Sequence, residues 1–430
     1  MTTTRRSRRP APLALSLTAA LSATLAVAGA ASPAAADDAP AVAPVLLPVS
    51  APRAVAVDLS PLGIVAGTSG PATDDGNPPN PLQDGAVTQR WLPVGGRYVP
   101  QRLPRPAGGT GATAAGVSDA GEVGGTVGFG TDGISRPYRW SVTGLRSTAL
   151  GDGTVPRTAS AVSPTGEVLV DSPGPFPLSG TVDIAQRDGT LTPITGIASQ
   201  RGIFGMSVAG PDQALVSVVS GIGQGTTASP TVWQAGASKQ LPVFASYFFG
   251  PACASTMLAD GSVGYSGLGR NPDGTYGQFA AVHRGGVPGT ETDLPLPAGR
   301  AADLGCALSR DALAADGTAA GQLRVDTTHT VTEAIIWTGA GFVLPGLQAG
   351  EKSSIASAVA GGGRAVLSVT GSDGTVRYYR WRDGVRTPLT VPAGWRVSNV
   401  VEMNERGDVL ANLVAADGVT YRPAVWHTGS

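Results

Sequence analysis

Short runs in which apolar and polar positions alternate follow one another along most of the chain, separated by Gly- and Asp-rich turns. A period of two residues is typical of β-strands with one buried face, and no helical periodicity interrupts it. One stretch shows the pattern clearly, with strand-like runs at 113–117, 122–127, 136–140 and 146–150 and a turn at 119–121. Four short strands joined by tight turns predict an antiparallel meander.

This meander is repeated eight times, about every 49 residues. Each copy has a turn position and, 18 to 22 residues later (28 in the first copy), a position that is most often Trp. The turn positions are Gly63, Gly121, Gly166, Asp212, Gly261, Gly317, Gly363 and Gly407. The later positions are Trp91, Trp140, Gln186, Trp233, His283, Trp337, Trp381 and Trp426. A period in the forties with four strands in each copy is typical of β-propeller blades.

The last copy is short by one strand, because only four residues follow Trp426. Residues 43–49 (APVLLPV) precede the first copy and resemble the fourth strands elsewhere, such as 294–297. The sequence therefore predicts an all-β, eight-bladed β-propeller of four-stranded antiparallel blades, with the last blade closed by the N-terminal strand. Seven blades are the alternative. We expect small residues of the first strands near the axis and the repeated Trp rings packed between blades.

The first 36 residues have the composition of a signal peptide. Four arginines in the first nine residues precede an Ala-rich apolar stretch at 13–29, and three alanines stand before Asp37. This pattern predicts cleavage near Ala36, secretion, and no membrane insertion after cleavage, with 37–430 as a single domain. Both the Sec and the twin-arginine routes fit these residues.

The net charge argues against two classes of partner, and the two cysteines predict a disulfide bond. Of 30 Lys and Arg, four lie in the leader, which leaves 26 against 31 Asp and Glu and a net charge near −5. Nucleic acid and anionic membranes are therefore not expected as partners, because both require clustered basic residues. Cys253 and Cys306 precede the turns of neighbouring copies, which predicts a disulfide between adjacent blades, with two buried thiols as the alternative. We expect a monomer.

No motif of catalytic or cofactor chemistry has the context that it needs. The glycines of 128–133 match a dinucleotide fingerprint, but a strand follows where a helix is required. Isolated Asp-Gly pairs suit tight turns, and His283, His329 and His427 lack the spacing of a metal site. We expect neither a cofactor nor a metal. A carboxylate pair assembled from distant blades for glycoside hydrolysis stays open.

Candidate ligand-binding residues fall on one face of the predicted propeller, the loop face, which carries the second-to-third-strand loops and the connections between blades. They are Asp74, Asp75, Asn77, Asp84, Tyr247, Phe248, Phe249, Arg270, Tyr276 and Trp395. Aromatic residues with polar neighbours in a concave surface suit the binding of a ligand or a partner. The alternative is that these aromatic rings seal the junctions between blades.

Two of the copies resemble a known group of repeats. Residues 117–125 with 138–140, and 403–411 with 423–426, look like the HAF-type extracellular repeats of secreted bacterial proteins. The resemblance covers nearly all of 53–430, implies a secreted propeller, and brings no catalytic residues. The function predicted is a non-enzymatic binding or scaffold protein for a protein, glycan or cell-wall component. The alternatives are a propeller-type polysaccharide hydrolase or lyase and a purely structural envelope protein.

Overall fold

The computed structural model describes residues 40–71, 85–130, 134–173, 180–198, 202–221, 227–246, 253–270, 276–302, 308–325, 331–339 and 341–427. These residues belong to one compact unit, Ala36–Ser430. In this described part every regular element is a β-strand, so the all-β class is confirmed. None of the described segments forms a helix of the length and apolarity that a membrane crossing needs.

The strands are grouped into antiparallel meanders that match the repeat copies, which we call units 1 to 8. A short strand β1 (Val45–Leu46) comes first. Unit 1 consists of β2 (Arg53–Leu59), β3 (Val65–Gly70), β4 (Val87–Val94) and β5 (Arg97–Arg102), and unit 2 of β6 (Gly109–Val117), β7 (Val123–Phe129), β8 (Ile134–Trp140) and β9 (Ser147–Ala149). Unit 3 consists of β10 (Thr158–Val162), β11 (Val168–Ser172), β12 (Thr181–Ala185) and β13 (Leu191–Pro193), and unit 4 of β14 (Gly202–Gly210), β15 (Gln213–Ser220), β16 (Thr227–Gln234) and β17 (Ala237–Gln240). In each unit the four strands pair in chain order.

Units 5 to 8 keep this order with local departures. Unit 5 consists of β18 (Val243–Ser246), β19 (Cys253–Ala254), β20 (Val263–Arg270), β21 (Tyr276–Arg284) and β22 (Thr290–Asp293), and unit 6 of β23 (Ala301–Ala302), β24 (Leu308–Leu313), β25 (Ala319–Arg324), β26 (Thr332–Thr338) and β27 (Gly341–Val343). Unit 7 consists of β28 (Glu351–Ala360), β29 (Arg364–Gly371), β30 (Val376–Arg382) and β31 (Val385–Leu389), and unit 8 of β32 (Trp395–Met403), β33 (Val409–Ala415) and β34 (Tyr421–Trp426). Strand β18 pairs with both β16 and β20, and β23 and β24 both pair with β25.

The N-terminal strand occupies the predicted position beside the last unit. Strand β1 pairs antiparallel with β34, with Val45 opposite Val425. The N–H of Leu47 donates to the carbonyl of Pro423 at 2.9 Å, and the Leu47 side chain is completely buried. The segment thus adds a fourth strand beside β34 of unit 8.

The repeated glycine at the turn position has a conformational cause. Seven of the eight turn positions have φ angles between +69° and +100°: Gly63, Gly121, Gly166, Gly261, Gly317, Gly363 and Gly407. A residue with a Cβ atom is strained in this left-handed region, whereas glycine adopts it freely. The turn that joins the first and second strands therefore selects glycine in unit after unit.

The six Trp residues at the repeat position pack between units, as expected. Each is at most 5 % exposed. The indole N–H of Trp140 donates to the carbonyl of Pro104 in the connection that precedes unit 2, at 2.8 Å. Trp91 of unit 1 donates in the same way to Pro48, which follows β1, at 2.7 Å. The residues after β1 therefore contact the Trp of unit 1 in the way that the residues after β5 contact the Trp of unit 2.

Units 3 and 5 replace the Trp with side chains that make hydrogen bonds instead. His283 is completely buried, and its ring nitrogens contact Glu291 Oε1 at 3.0 Å and the carbonyl of Gly286. Gln186 donates to Thr192 Oγ1 at 2.9 Å. His283 is thus a packed core residue.

Candidate functional site

Most candidate residues of the loop face lie outside the described residues. This applies to Asp74, Asp75, Asn77, Asp84, Tyr247, Phe248 and Phe249. Arg270 and Tyr276 are paired with each other at the end of the β20–β21 hairpin. Trp395 begins β32 and lies opposite Ala415, near the end of β33. These three backbone positions therefore lie at the expected ends of their units, where second and third strands are joined.

Trp395 is half-buried and packs against an apolar cluster of units 7 and 8. The cluster includes Ala358, Val397 and Leu413. The described contacts of Trp395 are thus those of a ring at a junction between units, and its remaining surface is open to solvent. This is the packing alternative that the sequence left open, with part of the ring still available to a partner.

A periodic row of polar residues joins neighbouring units through the second strands. Every unit has a polar residue five positions after its turn position: Thr68, Thr126, Asp171, Ser217, Ser266, Gln322, Ser368 and Asn412. In units 1 to 3 the side chain accepts a hydrogen bond from the backbone N–H seven positions before the next turn position, namely Ala114 (2.9 Å), Ala159 (2.9 Å) and Gly205 (2.7 Å).

The same contact joins the last unit to the first. Asn412 Oδ1 of unit 8 accepts from the N–H of Ala56 in unit 1 at 2.8 Å, and Asn412 Nδ2 donates to the Ala56 carbonyl at 2.9 Å. This contact repeats the register found between units 1 and 2, units 2 and 3, and units 3 and 4. Sequence reasoning missed this row, although its signal is periodic.

Replacing Asn412 by Ala tests the energetic weight of that row. The substitution leaves both backbone groups of Ala56 without their partner, so we expect the free energy of unfolding to fall by about 1–3 kcal/mol. Ser398→Ala, at an exposed position on β32, is the control and should change it by less than about 0.5 kcal/mol. Urea denaturation of the mature protein measures both, and equal effects would contradict the role of Asn412.

A second row of contacts lies along the first strands, five positions before the turn. Here Asp58, Ser207 and Glu402 accept hydrogen bonds from the backbone N–H groups of Val117 (2.7 Å), Met257 (2.9 Å) and Leu59 (2.9 Å) in the following units. Units 2, 3, 6 and 7 have a small residue at this position, namely Gly116, Ala161, Ala312 and Ala358. Polar side chains are thus used at some junctions and small ones at others.

Residues in or just after the first strands of units 1, 3, 4, 6, 7 and 8, with Thr256 and Leu258 of unit 5, line one cavity of about 180 Å³, which we call the inner cavity. Its walls combine apolar side chains, among them Val162, Leu313 and Val359, with polar and acidic ones. Asp58 and Glu402 lie near the ends of β2 and β32, so the cavity is on the side of the first turns, opposite the loop face. The described lining contains no basic side chain. Only a few of the lining residues are small, such as Ala161 and Ser207, so the side chains that meet here are larger than the sequence predicted.

Four carboxyl side chains from units 1, 6 and 8 line this cavity, namely Asp58, Asp311, Glu402 and Glu405, and Glu402 is the most affected of them. Burial raises the pKa of Glu402 well above its ordinary value, and the charges of Asp58 and Asp311 and a hydrogen bond with Asp58 raise it further. The surface that Glu402 retains lines the inner cavity. Burial and the charge of Asp58 also raise the pKa of Asp119, in the turn of unit 2. Glu402 therefore keeps its proton at pH values at which an ordinary Glu is already ionised.

The geometry limits what this acidic cavity can do. Ligand pockets usually occupy about 300–1,000 Å³, more than the volume found here. Asp58 already accepts from the N–H groups of Leu59 and Val117. In the described part of the chain, no group of three or more His, Cys, Asp or Glu side chains has the arrangement of a metal site. The carboxyl groups mainly connect units.

The remaining candidate residues have structural surroundings where they are described. Cys253 is half-buried on β19 opposite Ser266, and no described cysteine is a free thiol. Cys306 and His329 lie outside the described residues. His427 contacts Asp408 at 3.2 Å and stacks on Tyr98 at 5.8 Å between ring centroids. His427 thus lies at a packed junction.

No protein-family model matches the sequence, and no curated protein matches it. Among solved structures, the chain is similar to the β-propeller domain of the Trilobed protease from Pyrococcus furiosus, with 11 % identity and a TM-score of 0.44 over 72 % of this chain and 92 % of that one. It is also similar to Sqt1 from Chaetomium thermophilum, with 14 % identity and a TM-score of 0.41 over 91 % and 100 %. An acylaminoacyl peptidase has 11 % identity and a TM-score of 0.43 over 87 % of this chain and 51 % of its own length. At these identities and TM-scores, none of these likenesses carries an inference about activity.

Proposed function

We propose that this chain is a secreted eight-bladed β-propeller that acts as a non-enzymatic binding or scaffold protein. The eightfold count is supported by the eight turn positions and by the contact of Asn412 with Ala56, which joins the last unit to the first. Secretion is supported by the composition of residues 1–36. The partner is a protein, a glycan or a cell-wall component bound on the loop face.

The observation that carries the non-enzymatic assignment is the engagement of the inner carboxyl groups. Asp58 Oδ2 accepts from Val117 of unit 2, and Asp58 Oδ1 and Glu402 Oε2 both accept from the N–H of Leu59. Glycoside hydrolysis needs two carboxyl groups on either side of a sugar, with free oxygens and space between them. An inner cavity of about 180 Å³ with bonded carboxyl oxygens does not provide that space.

The loop face is proposed as the binding surface because the repeat departs from regularity there. The first copy separates its turn and Trp positions by 28 residues, and the extra residues lie between β3 and β4. They include Asp74, Asp75, Asn77 and Asp84. Side chains that interrupt a repeat are not needed for its packing and are free to serve recognition.

We further propose a disulfide between Cys253 and Cys306, which would link units 5 and 6. Cys253 is not a free thiol, and the chain has only one other cysteine. The proposed export places both residues in an oxidising compartment, where such a bond persists. This link would reinforce the part of the ring where the first strand of unit 6 is divided into β23 and β24.

A binding screen with loop-face variants tests the function. The mature protein is screened against glycan arrays and extracellular proteins, and then compared with Tyr276→Ala and Trp395→Ala. We expect one saturable ligand class, with affinity reduced about tenfold or more in at least one variant, as at interface hot spots. Leu62→Ala, exposed on the opposite side, should bind normally. A ligand that is insensitive to both loop-face variants would contradict the proposed surface.

A hydrolase or lyase is the second candidate, because a neutral Glu402 beside Asp58 has the composition of an acid–base pair. It requires turnover on a panel of polysaccharides, abolished in Glu402→Gln. Such turnover would overturn the non-enzymatic proposal. Neither ligand nor turnover would leave the third alternative, a purely structural envelope protein.

A further inference from the structure

The junction between units 8 and 1 brings two carboxyl groups together. Glu402 Oε2 of β32 and Asp58 Oδ1 of β2 accept from the same donor, the N–H of Leu59, at 2.9 and 3.0 Å. A single donor this close to both oxygens holds the two carboxyl groups side by side. The equivalent junction between units 4 and 5 uses Ser207, a neutral hydroxyl, towards Met257. The pair of acids therefore distinguishes the junction between units 8 and 1 from the junction between units 4 and 5.

The shared donor brings the carboxyl groups of Glu402 and Asp58 close enough for a direct hydrogen bond between them, and such a bond requires a proton. An ionised carboxylate only accepts hydrogen bonds, so one member of the pair has to be protonated to donate. The surroundings favour retention of this proton. Asp311 faces Glu402 from β24, Asp119 in the turn of unit 2 is close enough to Asp58 to feel its charge, and β28 contributes the apolar Val359 to the same cavity.

We propose that Glu402 keeps a proton directed at Asp58 and thereby makes the contact between the first and last units sensitive to pH. With the proton bound, Glu402 donates to Asp58 and accepts from Leu59. When the proton leaves to solvent, two adjacent carboxylates repel each other across the junction. The proposal goes beyond the binding function and holds whether or not a ligand is found.

The effect on stability has a definite sign. Burial and the neighbouring carboxylates raise the pKa of Glu402 in the folded chain, whereas in the unfolded chain it has its ordinary value. The folded state therefore holds the proton more tightly. The stabilisation is fully present below the ordinary Glu pKa and is lost as the pH rises through the raised folded pKa. The junction is strongest in mildly acidic and weakest in alkaline solution.

Glu402→Gln is the sharpest test, because the amide imitates the protonated acid. Its oxygen can accept from Leu59 and its NH₂ can donate to Asp58 at any pH. We expect the urea midpoint of the wild-type mature protein to fall from about pH 5 to about pH 9, and the midpoint of the Gln variant to lose most of that fall. Hydrogen exchange of the Leu59 amide should show the same loss of protection in the wild type alone.

Glu405→Gln is the matched control. Glu405 lines the same cavity and accepts from the N–H of Gly361, but its side chain is exposed, so the variant should keep the wild-type slope with pH. An infrared spectrum of the wild type near neutral pH should contain a protonated carboxyl band that Glu402→Gln lacks. Parallel pH profiles for wild type and Glu402→Gln, or no such band in the wild type, would overturn the proposal. The infrared measurement decides even if the variant does not fold.

Discussion

Deletion of residues 42–49 from the mature chain is expected to abolish cooperative folding. Strand β34 would lose its partner β1 and present an unpaired edge, which promotes aggregation. Trp91 would also lose the carbonyl of Pro48 as its acceptor. The measurement is the soluble monomeric yield by size-exclusion chromatography, followed by a thermal melt. A deletion variant that elutes and melts like the intact mature chain would show that β1 is dispensable.

Leu47→Ala measures how much the packing of the N-terminal segment contributes to stability. Leu47 is 0 % exposed, so its truncation is expected to lower the free energy of unfolding by about 2–5 kcal/mol. Leu62→Ala makes the same chemical change at a side chain that is 59 % exposed, and should shift it by less than about 0.5 kcal/mol. Urea titrations of the two variants under identical conditions provide the comparison.

Trp140→Ala is expected to destabilise the chain by about 3–5 kcal/mol, the usual cost of truncating a buried aromatic side chain. Trp140 has no exposed surface and contacts Pro104 through its indole N–H. Trp140→Phe keeps most of the ring but removes that donor, so its effect should be smaller. Chemical denaturation monitored by circular dichroism measures both, since fluorescence would be altered by the loss of a Trp.

Trp395→Ala is the control for position, because this Trp lies outside the repeat position and is half-buried. Its cost should be clearly below that of Trp140→Ala. If the two variants were equally destabilised, the repeated Trp would have no special packing role between units.

The strand order of each unit was accessible from the sequence, because the alternation and the glycine turns both have local causes. In unit 2 the predicted runs 113–117 and 122–127 correspond to the observed β6 and β7, but β6 begins earlier, at Gly109. The added residues, 109–112, are Gly, Thr, Gly and Ala, which are too small to show a hydrophobic pattern. They belong to the strand because Gly109 pairs with Phe129, a partner that local sequence does not reveal.

The departures in units 5 and 6 were not predictable for the same reason. Strand β18 is shared between β16 and β20, and the edge of β25 is divided between β23 and β24. Such pairings depend on which backbone edges happen to face each other after the units have packed. Short segments carry too few residues to specify this choice alone.

The binding residues predicted from the sequence belong to the loop face, whereas the described acid cluster lies on the opposite side. Asp58, Asp311 and Glu402 are far apart in sequence and meet only because successive units bring their first strands together. Their association could not be read from spacing. The polar position five residues after each turn could have been found, because it recurs in every copy.

That polar row also bears on how such a chain can diversify. In each described contact of units 1 to 3, the acceptor is a side chain and the donor is a backbone N–H, as from Ala114 to Thr68 or from Gly205 to Asp171. Every residue except proline offers that donor, so the neighbouring copy does not have to change in step. A duplicated copy carrying its own acceptor can be inserted beside almost any other. One side chain in each copy is thus enough to form this contact with the neighbouring copy. The other positions can therefore diverge in sequence.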